Sequence, residues 1–405
     1  MNNLAQDIDF LTQKKSGVKR LTLTDYRNYA SLRISSELCP IVITGDNGSG
    51  KTNILEAISF LTPGRGLRGA RLSDIRRISP AIVGDDYIPS NASWAVSAMI
   101  SKNGEEFEIG TAVENFLKED NDESGIYNKR IVKIDGQRSS VQAELGNYFS
   151  AIWLTPQMDR LFRGGSQPRR SFLDRLVYTF DNDHAKRTAV FEGLYKQWYQ
   201  LIRNSNGKVD KLWLEGIEEN MAAMGVAIAA ARREQIARLN AFIENEPDDV
   251  FPDVELQLDG TIEKMLATLP AVDVEDFYMQ KLASERNKVL CNENVDGVNR
   301  ADFKVFYKKK NMPAELCSTG EQKSLLISII LAQTKCQILY QDFSPVLLLD
   351  EVAAHLDDIK REALLSKITD LGLQAWITST NPELFGSLKN KAQFFELKNN
   401  SLLEK

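Results

Sequence analysis

Eight consecutive residues, Gly45-Asp46-Asn47-Gly48-Ser49-Gly50-Lys51-Thr52, fit the pattern G-x-x-x-x-G-K-[ST]. Glycines at that spacing let backbone N–H groups curl around an anion, and a helix starting at the end of the loop adds the positive pole of its dipole. Lys51 would reach the β- and γ-phosphates of a nucleoside triphosphate, and the Thr52 hydroxyl would ligate Mg²⁺. ATP and Mg²⁺ are therefore the expected cofactors. A glycine-rich turn could match by chance, but the flanks oppose that: Pro40-Ile41-Val42-Ile43-Thr44 reads as a buried strand and Lys51–Leu61 as a helix.

A second group of polar residues ends the apolar run Pro345–Leu349. Asp350 would hold Mg²⁺ through water, and Glu351 would accept a proton from the attacking water, with Lys51 its catalytic counterpart. An acid pair after a strand is common, so the segment about thirty residues earlier matters more. Cys317-Ser318-Thr319-Gly320-Glu321-Gln322-Lys323 opens the apolar helix SLLISIILAQ. Ser318 and Gly320 at that start form an anion site with no lysine in phosphate-loop position. In ABC-type ATPases such a segment closes over the γ-phosphate held by another subunit. The local alternative makes Ser318 and Thr319 N-caps, with Glu321 completing a capping box; both readings can hold together. Gln157, in Trp153-Leu154-Thr155-Pro156-Gln157-Met158, has the placement of a Q-loop glutamine, which senses Mg²⁺. Ala354-His355-Leu356-Asp357 resembles a D-loop. The strand Ala375–Thr378 should deliver a switch residue, usually histidine. Here it reads Ser379-Thr380-Asn381, and neither His184 nor His355 falls there. Slow hydrolysis is expected, with any γ-phosphate contact made by a hydroxyl.

Several stretches now resemble one family. Leu23-Thr24-Asp25-Tyr26-Arg27-Asn28-Tyr29, the loop as GDNGSGKTNILEAI, TPQMDRLF, PRRSFLDRL and STGEQKSLLISIILA follow in this order. They are similar to the RecF family, bacterial recombination-mediator ATPases related to SMC heads, from about Val18 to the C-terminal strand. RecF-like chains also lack the switch histidine and a long coiled coil. The resemblance implies an α/β fold: an ABC/SMC-type P-loop ATPase head with an inserted, mainly helical second lobe. It implies an ATP-dependent, DNA-binding homodimer that takes single-stranded and gapped or junction DNA. With RecR and RecO such proteins promote RecA loading, and slow, DNA-stimulated hydrolysis drives release.

Arg65, Arg68, Arg71, Arg76 and Arg77 follow the first helix in a stretch, Gly64–Ser79, whose only acid is Asp74. Arginine at that density suits phosphate contacts without base reading. Arg163, Arg169, Arg170 and Arg175 form a second cluster and Lys308-Lys309-Lys310 a third. Arg170 and Arg175 could equally make structural ion pairs, for example with Asp174.

These residues need a scaffold, and the composition supplies one. The 405 residues are 43% hydrophobic and 26% charged, which excludes a disordered or membrane-embedded chain. A net charge of -6 does not by itself imply nucleic acid; binding needs only a local basic face. Cys39, Cys291, Cys317 and Cys336 lie far apart from one another and from the two histidines, so free buried thiols are expected rather than zinc. The N-terminal residues show no signal-peptide core, and the apolar run Met221–Ala231 is too short to span a bilayer. A cytoplasmic protein is expected.

Alternating strands are expected over Val18–Ile43 and Ala92–Gln137, with Lys118–Ser124 a hairpin loop. Helices follow over Arg169–Asn245, including Trp213–Asn240 with a solvated charged face, and over Ile262–Asn287. The chain then returns to an α/β pattern after Lys304–Tyr307. The expected organisation is residues 1–165 and 301–405 as one ATPase lobe, with 166–300 a helical second lobe. Two other readings remain: the ATP-binding subunit of a membrane transporter, disfavoured by the long loop-to-signature distance, and a non-hydrolysing SMC-like DNA clamp, disfavoured by Glu351.

Overall fold

The computed structural model describes residues 15–77, 93–117, 126–139, 141–204, 210–245, 248–398 and 400–405. The expected hairpin loop Lys118–Ser124 lies outside them. The chain forms two compact units, Met1–Met158 with Gln337–Lys405, and Asp159–Cys336.

The first unit holds two sheets. Strands β1 (Ser16–Tyr26), β2 (Tyr29–Ser35), β4 (Ala95–Lys102), β5 (Glu105–Leu117), β6 (Ile126–Ile134) and β7 (Gln137–Ser139) pair antiparallel in the order β2-β1-β4-β5-β6-β7. Asn103-Gly104 and Asp135-Gly136 both have positive φ at both positions, which suits tight hairpin turns to the twist of their strands. The other sheet contains β3 (Ile41–Thr44), β8 (Ala151–Leu154), β12 (Val346–Asp350), β13 (Ala375–Ser379), β14 (Gln393–Lys398) and β15 (Ser401–Glu404) in the order β15-β14-β3-β13-β12-β8. All neighbours there are parallel except β14 and β15. The sequences IVIT, VLLLD and AWITS are buried along their whole length, as central parallel strands must be. Helices α1 (Lys51–Ser59) and, later in the chain, Asp358–Asp370 complete this unit. Phe60, which caps α1, packs with Tyr26 and Trp94 at ring-centroid distances of 5.5 to 6.5 Å, and Tyr26 meets both rings edge-on.

The second unit contains α2 (Ser166–Tyr178), α3 (His184–Asn204), α4 (Lys211–Asn245) and α5 (Ala271–Ser284). It also holds the small antiparallel sheet β11-β10-β9, made of β9 (Val254–Asp259), β10 (Asp302–Tyr307) and β11 (Met312–Pro313). The helix expected over Ile262–Asn287 is broken into three pieces, Thr261–Met265, α5 and Arg286–Leu290, with Pro270 at the N-cap of α5. Its core centres on Phe191, Trp198, Met221 and Tyr278. Gly225 on α4 is required by packing, since a Cβ there would stand 2.5 Å from the Tyr278 ring.

The second compact unit runs from Asp159 to Cys336, against the expected 166–300 for the second lobe. Residues 302–307 pair with β9, and most of the helix α6 (Thr319–Tyr340) docks in the second unit. Its Gln333 bonds Gln235 at 2.7 Å and the Leu176 carbonyl at 3.1 Å, and its Ser328 bonds the Pro252 carbonyl at 2.7 Å. Next, the charges of α4, expected mostly on a solvated face, include two exceptions: Glu218 and Arg232 are buried. Glu218 accepts from Trp198 Nε1 and Arg286, while Arg232 donates to both oxygens of Asp174 at 2.7 and 2.9 Å. Finally, Cys317 and Cys336 are buried and Cys39 half-buried, but Cys291 is exposed.

Candidate functional site

β3 runs out of the parallel sheet into the glycine-rich loop, and α1 begins at Lys51. Gly48 has φ +79° and Gly50 φ +109°, backbone angles that side chains strongly disfavour. At Gly50 a Cβ would also strike Asn28 Nδ2 at 2.5 Å and Tyr29 OH at 2.6 Å. Those two residues clamp the loop from the β1–β2 turn. Tyr29 OH donates to the Gly50 carbonyl at 3.1 Å and Asn28 Nδ2 to the Ser49 carbonyl at 3.2 Å. Asn53 and Asn400 hold Asn28 in turn, at 2.7 and 2.6 Å. Asp46, Asn47 and Gly48 are exposed at the tip.

The buried Lys51 ammonium donates to the Gly45 and Asp46 carbonyls at 2.8 and 2.9 Å, and lies 3.5 Å from Glu351. Thr52 Oγ1 donates to Asp350 at 2.8 Å. The sequence separates these partners by nearly the full chain; the parallel sheet joins them, because β13 lies between β3 and β12. Thr378 on β13 donates to Asp350 Oδ1 at 2.7 Å and accepts from the Glu351 N–H at 3.1 Å. Glu351 stands at φ +54°, unusual for a non-glycine residue and a mark of strain kept at working sites.

A triphosphate with Mg²⁺ fits these residues. The loop supplies open backbone at Gly48, where a Cβ would meet nothing within 4 Å, and Ser49 Oγ is buried there without a hydrogen-bond partner among the described residues. Lys51 adds a cation, and the hydroxyl–carboxylate pair Thr52–Asp350 offers the hard oxygen donors that Mg²⁺ takes.

Gln157 is exposed in the turn Pro156–Arg160 after β8 and makes no hydrogen bond to Thr52 or Asp350. Ser318 and Gly320 are exposed where α6 begins, in the second unit. The capping box is formed: Ser318 N–H donates to Glu321 at 2.9 Å, and the Glu321 N–H faces Ser318 Oγ at 3.4 Å. The Lys310 ammonium and the two Ser318 donors hold the Glu321 carboxyl down at about 2. Ser379 is buried and bonded to the Asn381 backbone, Asn381 caps the next turn, and Thr380 is exposed. Asp357 caps the helix α7 (Asp358–Asp370) through Lys360 N–H at 2.9 Å.

The arginine groups divide. Arg65 and Arg71 are exposed, with no partner among the described residues. Arg68 is exposed but bonds Asn53 at 2.8 Å and nears Glu56 at 3.4 Å. Arg76 and Arg77 are half-buried beside β1, where Arg77 lies 4.0 Å from Asp25. In the second cluster three arginines make contacts within the unit: Arg169 grips Asp302 with two nitrogens, Arg170 donates to the Ala301 carbonyl, and Arg175 lies over the Phe172 ring, while Arg163 is exposed, 3.4 Å from the Cys317 carbonyl. Burial pushes the Arg175 guanidinium down to about 10. Asp174 pairs with Arg232 and His184 instead of Arg170 or Arg175. In the third cluster, Lys308 pairs with Glu244 and Lys310 with Glu321.

Sequence reasoning missed Thr378, Arg27 and Arg130 as supports of the site. Arg27 donates to both oxygens of the buried Glu56 on α1, at 2.8 and 2.6 Å. Arg130, buried on β6, donates to the Phe60 and Thr62 carbonyls and to that of Gly64 at 2.6 Å, which fixes the turn leading to Arg65. No motif marks an arginine on a distant strand, and Lys129 and Lys133 flank Arg130 on β6, so nothing in the pattern singles it out.

The family model described as the RecF/RecN/SMC N terminal domain matches residues 17–401. A protein of Allorhizobium ampelinum named DNA replication and repair protein RecF is 41% identical over 383 residues, 94% of this chain and 97% of its own. Its namesake in Agrobacterium fabrum is 40% identical over 385 residues, 95% and 97% of the two chains. Solved structures of the recombination mediator protein RecF in the RecFOR pathway superpose with TM-scores of 0.79 for the ATPrS form and 0.77 for the ATP form. They cover 97% of this chain and 99% and 98% of their own, at 18% and 19% identity. The shared shape shows the fold: an α/β ABC/SMC-type P-loop ATPase head. Among the described residues, no helix is long and apolar enough to cross a membrane.

Proposed function

On the premise that this chain belongs to the RecF family, as relatives about 40% identical over nearly their whole length establish, we propose that it is an ATP-dependent DNA-binding protein of replication and recombinational repair. The observation that carries the nucleotide half is the set of three short distances at the ends of β3, β12 and β13. Thr52 stands 2.8 Å from Asp350, Lys51 3.5 Å from Glu351, and Thr378 2.7 Å from Asp350.

In this reading Gly45–Thr52 cradles the phosphates of ATP, and Thr52 and Asp350 hold Mg²⁺, with Gln157 completing that set. Bound Mg²⁺–ATP supplies a γ-phosphate open to attack by water. Lys51 exchanges its bonds to the Gly45 and Asp46 carbonyls for phosphate oxygens. Glu351 takes the proton of the attacking water on its carboxylate. Ser318 and Gly320 present their exposed helix start to the nucleotide of a second copy, so that ATP drives a homodimer. The dimer holds gapped or single-stranded DNA through Arg65, Arg68, Arg71, Arg76 and Arg77, acts with RecR and RecO to promote RecA loading, and is released by slow hydrolysis.

The test is binding to gapped and blunt duplexes with and without ATP, analysed together with sedimentation of the protein. ATP should convert monomer to dimer and tighten binding to the gapped duplex, and Lys51→Met should abolish both effects. Equal affinity with and without ATP, with no change in sedimentation, would overturn the reading.

A further inference from the structure

Thr378 occupies the middle of the parallel sheet. It stands level with Ile43 of β3 on one side and with Asp350 of β12 on the other, and its side chain is wholly buried. A hydroxyl owns one proton and two lone pairs, and here both kinds of capacity are used. A carboxylate only accepts, so the proton goes to Asp350 Oδ1 at 2.7 Å. A lone pair then accepts the Glu351 N–H at 3.1 Å, and the same N–H lies 3.2 Å from the Thr378 carbonyl.

That amide belongs to the residue whose backbone is out of place for an L-amino acid. Glu351 at φ +54° sits in a left-handed conformation that a non-glycine residue keeps only where its surroundings hold it. The two bonds from Thr378 grip its N–H while the carboxylate stands 3.5 Å from Lys51. Burial alone would favour valine in such a strand, so the hydroxyl calls for a reason of its own.

We propose that Thr378 is a positioning residue whose hydroxyl ties the Asp350 carboxylate to the Glu351 backbone, so that a shift at Asp350 is passed to the Glu351 carboxylate. The proposal rests on Glu351 acting as the base. It assigns Thr378 no contact with nucleotide: the hydroxyl acts through its neighbour.

The experiment compares Thr378→Val, which keeps the shape and removes both bonds, with Thr378→Ser, which keeps the hydroxyl, in the full-length protein. Valine should lower kcat roughly 10- to 100-fold, as loss of a partner behind a ligating carboxylate does, and serine should restore it. KM for ATP should change by less than about threefold in both, since no ground-state contact is lost. A readout apart from turnover is the lifetime of the ATP-bound dimer on DNA, which should lengthen in Thr378→Val as it does in Glu351→Gln. The double variant should be no slower than Glu351→Gln alone. Wild-type turnover in Thr378→Val, or serine as slow as valine, would overturn the proposal. If valine unfolds the protein by circular dichroism, Thr378→Ala takes its place under the same limits. Wild-type turnover in Glu351→Gln sinks the base assignment itself, a result distinct from a slow Glu351→Gln beside a normal Thr378→Val.

Discussion

Asp350 accepts hydroxyl protons from two sides, Thr52 of α1 and Thr378 of β13, and is itself buried. Asp350→Asn keeps the shape but removes the charge that a divalent cation needs, and turns one amide edge of donors toward a hydroxyl. Mg²⁺-dependent ATP binding should weaken about tenfold or more while Mg²⁺-free binding changes little, a difference readable by calorimetry. Arg65 and Arg71 are the expected DNA contacts that the protein leaves without partners among the described residues. Replacing both by Ala should lower affinity equally for all sequences and flatten the slope of log K against log salt by about two. An unchanged slope would mean they do not face phosphates. The individual roles were legible where type and spacing act locally, as in the eight-residue loop. Thr378 was invisible because a threonine in a buried strand looks like any β-former; only the register that sets it beside Asp350 discloses its bonds.

Elements read well from pattern and poorly at their joints. The apolar runs of β3, β12 and β13 announced central strands, and the glycines announced the loop between β3 and α1. What pattern did not reveal is where α6 packs, since its apolar residues surround the helix and its buried Gln333 finds partners on α2 and α4. At its start, Ser318 caps the helix and also offers a hydroxyl outward. Ser318→Ala should cost about 1 kcal/mol in denaturant titration, the usual worth of a cap. Ser318→Arg should leave monomeric ATP binding intact and block ATP-driven dimerisation. Mixed with Lys51→Met it should regain hydrolysis, because a heterodimer keeps one undamaged composite site. Failure of the two folded variants to complement would favour a site completed within one chain.

The second unit is held by charges in its interior. Burial pushes the Asp174 carboxyl up, but Arg232 at 2.7 Å and His184 at 2.8 Å outweigh it and bring it down to about 2. A carboxyl depressed on folding stabilises fully above its ordinary value near 3.8, and that contribution fades as pH falls through about 2. Its worth is about 2 kcal/mol. Asp174→Asn strands the buried Arg232, and at pH 7 should cost about 3–5 kcal/mol in denaturant titration, with the acid-dependent loss below pH 4 largely gone. Composition gave no hint of this cluster: an arginine on a charged helix reads as solvated until the packing of α2 against α4 is known. The sheet order of the first unit bears on how the protein is made. β3 is synthesised before both its neighbours, β13 and β14, which come from residues 375–398. On the ribosome the phosphate loop therefore emerges long before the two strands that flank β3 in the sheet. A copy terminated before residue 375 therefore carries the motif and its Asn28–Tyr29 clamp but lacks both strands that flank β3, and should not retain ATP.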